Sequence, residues 1–368
     1  MDLRAAFEWR LRSEAPAGVI ALTGTLGAVS HHGRYAPSPT GRLHLGNLRT
    51  ALLAWLFARS QGAPFTLRVE DLDPQRSRPE HEAQQLSDLH AIGLDWDGEP
   101  VHQSERRPLY RQALERLEDA GRVYPCFCSR AEIREAARAP HGDLPEGAYP
   151  GTCRDPTPAQ RAERERRTGR PPALRLDARA ERVSFTDRLH GRCESVVDDF
   201  VLWRPAGAAQ PDAVRRAPHR RLRGTPAYNL AVTVDDADQG VAEVVRGDDL
   251  LDTTPRQVLL ARLLGLPEPA YAHVPLVLGR DGQRLAKRHG AVTLADLTAA
   301  NAAAWMAYTL ALAEEDERPS ATDLIGRFDP EGLPTGPTVL LRDEAGETRE
   351  PGPAAGADEP GARSTTPG

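Results

Sequence analysis

The sequence predicts an α/β domain built on a parallel sheet and divided midway by an insertion. Three observations carry this. Strand-like runs alternate with helical patterns of roughly 12 to 15 residues on both sides of the midpoint, the mark of βαβ units. Residues 33–53, GRYAPSPTGRLHLGNLRTALL, read as a strand, a Gly/Pro loop and a helix in immediate succession. Between about residues 126 and 201 the rhythm breaks, in a stretch that holds all four cysteines.

Residues 1–31 match no pattern and read as an N-terminal extension. Arg34-Tyr35-Ala36 ends the first strand, and the prolines and glycine of Pro37-Ser38-Pro39-Thr40-Gly41 exclude helix and ladder alike. His44-Leu45-Gly46-Asn47 then opens a helix. Leu45, Leu48, Leu52 and Leu56 fall at spacings of three and four, the apolar face of an amphipathic helix. Free N–H groups and the helix dipole make such a junction a natural phosphate site, with His44 and Asn47 placed to meet the same phosphates. An ordinary βα turn with a satisfied histidine has the same pattern. Residues 64–70 read as a strand ending in the acidic run Glu70-Asp71-Leu72-Asp73. Pro79 begins a helix to about Ile92, stopped by Gly93, and a further helix runs from about Pro108 to Ala120, stopped by Gly121.

Residues 32–125 thus form the first half of the domain, and 126–203 the insertion. The insertion contains a Gly/Pro-rich loop, an Arg-rich segment at 161–167 and short strands at 173–176, 183–186 and 196–203. Residues 204–225 are low-complexity, with five arginines within 205–224, which predicts a solvated loop. The second half, 226–300, holds the block 228–232, a strand at 241–245, a helix at about 254–264, a strand at 273–278 and a loop at 279–290. A short helical segment at 301–340 and an acidic, Pro/Gly-rich tail at 341–368, expected to be disordered, complete the chain.

Composition narrows the function. With 368 residues, 40% hydrophobic and 27% charged, the chain can fold as a globular protein with a sizeable core. No apolar run approaches the length that spans a membrane, and the N-terminus lacks a secretory pattern, so a cytoplasmic monomer is expected. Net charge is −6. Residues 311–368 carry 13 acids against 5 arginines, which leaves the first 310 residues at +2. Any nucleic-acid contact must then use local patches. Of 47 basic residues only Lys287 is lysine. A lysine surviving in so arginine-biased a chain points to a place that needs a compact ammonium, although one surface lysine can survive by chance.

Five blocks now fall in order. Arg34-Tyr35-Ala36-Pro37-Ser38-Pro39-Thr40-Gly41 with His44-Leu45-Gly46-Asn47 resembles the first signature of the class I aminoacyl-tRNA synthetases in its glutamyl form. Gly282-Gln283-Arg284-Leu285-Ala286-Lys287-Arg288 resembles the second, with the one lysine on that loop's catalytic position. Arg68 to Asp73, Tyr228 to Val232 and Val245 to Asp249 match between them. The resemblance spans about residues 33–297. It implies a Rossmann-like nucleotide-binding fold that forms an aminoacyl-adenylate from ATP, with Mg²⁺ accompanying the nucleotide. His44 and Lys287 would be catalytic, and His44, Gly46, Asn47 and Lys287 would bind ATP. Arg34, Tyr35, Ala36, Pro37, Ser38, Glu70, Tyr228 and Arg246 would bind glutamate, the arginines taking carboxylates and Glu70 the ammonium. Glu70 and Arg246 could equally be surface ion pairs at strand ends. Both signatures depart from the family pattern: Asn47 replaces a common second histidine, Arg284 a lysine and Ala286 a serine. These changes bear on rate more than on reaction.

The cysteines discriminate within the family. Cys126-Phe127-Cys128, Tyr149 and Cys153 form a compact set, and in a reducing compartment CxC spacing suits a metal better than a disulfide. Three thiolates leave a fourth zinc ligand to be supplied by His141, Tyr149, an acid or water. Cys193 stands apart and reads as structural. The C-x-C, x20, Y-x3-C pattern resembles the zinc site of one group, the glutamyl-queuosine tRNA(Asp) synthetases, in which the tyrosine is a ligand. Only about 80 residues follow the lysine loop, too few for the helical anticodon-binding region of a full glutamyl enzyme. The resemblance therefore implies activation of glutamate without tRNA and its transfer to the queuosine base of tRNA(Asp). The alternatives are a truncated synthetase that charges tRNA(Glu), a weakly catalytic tRNA-binding relative, and a nucleotidyltransferase acting on a small acid.

Overall fold

The computed structural model describes residues 32–138, 144–145, 147–205, 224–279, 281–285, 292–342 and 348–349. The expected N-terminal extension, most of the Arg-rich loop and most of the tail lie outside these residues. In the first half, β1 (Gly33–Tyr35), α1 (Leu45–Arg59), β2 (Phe65–Val69), α2 (Pro79–Ala91), β3 (Val101–His102) and α3 (Arg107–Asp119) alternate as expected. The middle of the chain contributes β4 (Val123–Cys126), α4 (Arg130–Ala136), α5 (Pro158–Thr168), β5 (Ala173–Leu176), β6 (Arg182–Asp187), β7 (Gly191–Val196) and β8 (Val201–Arg204). There follow β9 (Thr225–Pro226), α6 (Tyr228–Asp238), β10 (Glu243–Gly247), α7 (Thr254–Leu264), β11 (Ala270–Val274), β12 (Val277–Leu278), α8 (Ala299–Thr309), α9 (Ala321–Ile325) and β13 (Thr338–Val339).

The sheets are mixed rather than wholly parallel. Strands β1, β2 and β3 run parallel, with Gly33 opposite Phe65 and Arg68 opposite Val101. A second sheet has the order β10-β11-β6-β7, parallel as far as β6 and closed by the antiparallel β6–β7 hairpin. The two meet at a seam. The His32 carbonyl accepts from Ala242 N–H at 2.9 Å, and Arg34 Nη1 donates to the Val245 carbonyl at 3.1 Å, which sets β1 beside β10. From this seam β1, β2 and β3 follow one another outward on one side and β10 and β11 on the other, before β6 and β7 join the second sheet's edge. The seam is therefore the switch point where α/β sheets open a crevice at their strand ends.

Helices cover both faces of the sheet. On one side Phe65, Leu67, Val245, Ala272 and Val274 share a core with α1, α8 and α9. On the other, Val244 and Tyr271 share a core with α3, α6 and α7. Alternation along each strand sends neighbouring residues to opposite cores. Helix α1 departs from the amphipathic expectation. Arg49, Ala51, Leu53, Trp55 and Phe57 are buried along with the leucine face, because sheet and C-terminal helices enclose it on both sides. Gly33 permits the close approach, since a Cβ there would meet Ala58 Cβ at 3.0 Å.

The insertion also divides differently from its expected bounds. Its own antiparallel sheet, β4-β5-β8-β9, already begins at Val123. Residues 182–196, expected inside it, form the hairpin that extends the second-half sheet, with Asp187 paired opposite Tyr271. In the expected tail, residues 341–342 pair antiparallel with 348–349. Among the described residues no helix is long and apolar enough to cross a membrane.

Candidate active site

A cleft of about 720 Å³ opens at the seam, at the C-terminal ends of β1 and β10. Arg34, Tyr35, Ala36, Pro37, Ser38, His44, Gly46, Asn47, Glu70, Tyr228 and Arg246 all line it. The loop after β1 is held from behind: Gln85 of α2, itself buried, donates to the Ser38 and Gly41 carbonyls at 3.1 and 2.6 Å. Glu70 N–H donates to the Pro37 carbonyl at 2.9 Å. This two-sided grip gives a proline-rich loop, which has few N–H groups of its own, a fixed shape.

His44 is the N-cap of α1. Its Nδ1 accepts the Asn47 N–H at 3.2 Å, and Asn47 Oδ1 accepts the His44 N–H at 3.3 Å, a reciprocal capping box. A ring nitrogen that accepts cannot carry the proton, so the proton of neutral His44 sits on Nε2. Asn47 spends its side-chain oxygen on this cap while still lining the cleft. Gly46 lets the ring lie close: a Cβ there would sit 3.1 Å from both His44 Cε1 and Nδ1, near enough to push the ring aside. Tyr35 donates its hydroxyl to the Asn47 carbonyl at 3.3 Å and so braces the same turn.

Beneath the cleft lies a buried charge network. Arg34 Nε donates to Asp236 Oδ1 at 3.2 Å, and Arg68 Nη1 donates to the same oxygen at 2.8 Å and to Gln239 Oε1 at 2.7 Å. Asp235, next on α6, accepts from Arg106, Gln103 and Tyr110 at 2.7 to 2.9 Å. Burial would push the Asp236 carboxyl up, but Arg68 and Arg34 hold it below its usual range. Glu70, two residues after Arg68 on the same strand face, has the opposite balance. Its carboxyl is pushed up to about 7 by burial, against the pull of Arg68 and Arg34.

Arg246 is almost wholly fixed. Its Nη1 donates to Gln257 Oε1 at 2.8 Å and reaches the Tyr228 hydroxyl at 3.4 Å, while Nη2 donates to Thr254 Oγ1 at 2.8 Å. Arg246 and Tyr228, singled out as isolated positions in the sequence, are therefore joined in the fold. Arg284 pairs with Asp249, tying the second signature loop to the 245–249 block. Lys287 and Ala286 lie outside the described residues. The flanks of that loop are anchored at the cleft: Leu285 lines it, and the Val292 carbonyl accepts from Leu45 N–H at 2.9 Å.

Away from the cleft, Cys126, Cys128 and Cys153 turn their sulfurs toward one another, all within 4.8 Å. Cys128 and Cys153 Sγ are 3.5 Å apart, and the Tyr149 hydroxyl lies 3.4 Å from Cys126 Sγ and 3.7 Å from Cys128 Sγ. Arg175 sits 3.8 Å over the Tyr149 ring, and Arg164 Nη1 is 3.0 Å from Cys153 Sγ. A tetrahedral ion with bonds of about 2.3 Å separates its sulfurs by nearly 4 Å, so this set has the donors and the spacing of a four-ligand site. Cys193 takes no part; its thiol contacts the Gly191 carbonyl. His141 lies outside the described residues.

Comparison with known proteins places this architecture. Residues 31–307 match the family model described as tRNA synthetases class I (E and Q), catalytic domain. The chain belongs to that family. Among its relatives is a glutamyl-Q tRNA(Asp) synthetase of Nocardia farcinica, 58% identical over 84% of this chain and 92% of the relative. Another, of Symbiobacterium thermophilum, bears the same name and is 49% identical over 84% of this chain and 95% of its own. Among solved structures, a glutamate tRNA ligase from Elizabethkingia meningosepticum in complex with its amino acid superposes with a TM-score of 0.64. It is 26% identical over 82% of this chain, which spans 65% of that structure.

For this class I family member the sequence reading found the cleft's lining but missed its supports. Asp236, Thr254, Gln257 and His273 contact the lining residues from behind, and Gln85, at the edge of the lining, holds the loop after β1. The run Asp235-Asp236-Ala237-Asp238 was the one visible signal, since three acids at the end of an otherwise apolar helix require buried cations or solvent. Nothing in a single sequence marks Gln85 or His273.

Proposed function

We propose that the protein activates glutamate with ATP and transfers it to the queuosine base of tRNA(Asp). One observation carries the reading: two buried arginines, a carboxylate and a helix N-terminus capped by histidine converge on a single cleft at the switch point. Glutamate brings two carboxylates and an ammonium, and Arg34, Arg246 and Glu70 match those charges one for one, with Tyr228 beside Arg246. In the first step a glutamate carboxylate oxygen attacks the α-phosphorus of ATP, the bond to the bridging oxygen breaks, and pyrophosphate leaves. His44 Nε2–H and the N–H groups at the start of α1 are suited to hold the phosphates, and Lys287 to follow charge onto the leaving group. Mg²⁺, when bound with ATP, screens phosphate charge. In the second step a queuosine hydroxyl attacks the glutamyl carbonyl and AMP departs. Positioning supplies most of the catalysis, since the protein forms no covalent bond with substrate.

Cys126, Cys128, Tyr149 and Cys153 would hold one structural zinc, the hydroxyl of Tyr149 supplying the fourth ligand. Bound there, the ion would cross-link the loop after β4 to the turn at 149–153. We place the protein in the cytoplasm, as a monomer, where charged and modified tRNA is found.

Incubation with ATP, labelled glutamate and tRNA(Asp), with and without queuosine, tests the proposal. Label on queuosine-containing tRNA alone is the expected outcome. Label on tRNA(Glu) supports the second reading, a shortened glutamate ligase, which the likeness to the Elizabethkingia structure favours. No adenylate at all sinks both readings.

A further inference from the structure

Arg246 and Thr254, whose Oγ1 lies 3.0 Å from His273 Nε2, both meet one ring nitrogen, and the contact with Arg246 depends on where the ring proton sits. Arg246 Nε donates to His273 Nε2 at 3.1 Å. An arginine nitrogen can only donate, so His273 Nε2 must be bare and the ring proton must sit on Nδ1. That nitrogen lies 2.6 Å from Asp187 Oδ2. The Asp187 carboxylate accepts further N–H groups from Leu189 and His190 at 3.0 Å each and from His273 at 3.1 Å. These donors hold it ionised although burial opposes them. Asp187 and His273 side chains are both fully buried, and neither belongs to the cleft's lining. The register explains their meeting. Arg246 and His273 are partners on the parallel strands β10 and β11, so their side chains leave one sheet face together, and Asp187 ends β6 on the other side of β11.

We propose that Asp187 and His273 are positioning residues for Arg246: Asp187 selects the His273 form with the proton on Nδ1, and the bare Nε2 fixes the guanidinium so that its remaining Nη2 hydrogen meets a substrate carboxylate. This rests on reading Arg246 as a glutamate ligand. The relay begins in the β6–β7 hairpin, so an element outside both signature halves sets the aim of the amino-acid site. A strut that merely joins strands would affect stability and leave substrate discrimination alone.

The test is glutamate- and ATP-dependent pyrophosphate exchange on the full chain, with KM measured for each substrate. Asp187→Asn replaces an acceptor by a group that can donate, favouring the tautomer whose Nε2–H faces Arg246 Nε. It is expected to raise the glutamate KM by about ten-fold or more, the scale of one lost charged hydrogen bond, with the ATP KM unchanged. His273→Leu should do the same. His273→Gln, which can put an oxygen where Nε2 lies, should restore most of the affinity. Thermal melts show that each variant is folded. A glutamate KM unmoved by Asp187→Asn and His273→Leu, while Arg246→Lys raises it, overturns the relay. Equal rises in both KM values, or lost stability with neither KM altered, makes the pair a strut and overturns it too. A glutamate KM unmoved by Arg246→Lys overturns the reading of the arginine itself.

Discussion

Arg34 and Asp236 meet at 3.2 Å although 202 residues separate them in the chain. One lies in the first strand, the other on α6, and both side chains are almost wholly buried. Their contact closes the seam from below and leaves the cleft open above it. Asp236 also holds Arg68, so one carboxylate serves two buried guanidinium groups.

Removing that carboxylate takes the ion pair from Arg34 and leaves Arg68 with Gln239 and with Asp235 and Glu70 at 3.8 Å. Asp236→Ala should lower unfolding free energy by about 3–5 kcal/mol, the cost of orphaning a buried charge, as read by urea denaturation. Asp236→Asn keeps an acceptor oxygen and should lose less. A shift below 1 kcal/mol for the alanine variant (about one ordinary hydrogen bond) would show that the arginines find other partners.

Glu70 gives a pH dependence of stated sign. Its carboxyl is raised from 4.5 to about 7, burial being the main cause. The folded chain therefore keeps a proton that the unfolded chain has released, and stability falls as pH rises between those two values. Glu70→Gln removes this loss. Urea midpoints for the two proteins should diverge in favour of the variant between pH 5 and pH 8, by at most about 3 kcal/mol. Glutamate binding follows the opposite course: an ammonium prefers the ionised acid, so calorimetric affinity of the wild type should increase from pH 6 to pH 8.

Gly46 separates stability from activity. At an early helix position alanine is favoured over glycine by up to about 1 kcal/mol, yet its Cβ would lie 3.1 Å from the His44 ring. Gly46→Ala should leave the melting temperature unchanged or slightly higher while pyrophosphate exchange falls about ten-fold. Equal activity would mean the ring can shift without consequence.

The thiol set predicts a metal stoichiometry. Purified protein should carry one zinc by elemental analysis, and Cys126→Ser or Cys153→Ser should lose it together with a drop in melting temperature. Tyr149→Phe should retain the ion with affinity reduced about ten-fold or more. Zinc-free wild type with unchanged stability in the serine variants would refute the assignment.

Much of the fold was legible because its punctuation is local. The helix expected at about 254–264 is α7, Thr254–Leu264, and Gly265 ends it in the left-handed conformation. Pro79 starts α2 within the helix and Gly93 follows its end. The misses have physical causes. The strand expected at 273–278 is broken at Pro275, which has no N–H to give a ladder, into β11 and β12. The piece expected at 196–203 is interrupted where Asp198 and Asp199 turn to Tyr149, Arg154, Tyr124 and Arg256. Helix α5 had its cap in Thr157 and Gln160 and its stop in Gly169, but none of its residues is buried, so no apolar period revealed it. In the site, the residues facing the cleft follow short motifs. Their supports, such as Asp236 and Gln85, come from distant segments and obey no spacing.

The hairpin of β6 and β7 has a consequence for anyone who would transplant parts between such enzymes. It is encoded amid the cysteine-bearing segment yet serves as the edge of the sheet behind Arg246. Excising residues 126–203 as a cassette would strip the host of strand and relay alike. A viable graft must cut twice, on either side of residues 182–196, so that the recipient keeps its own border.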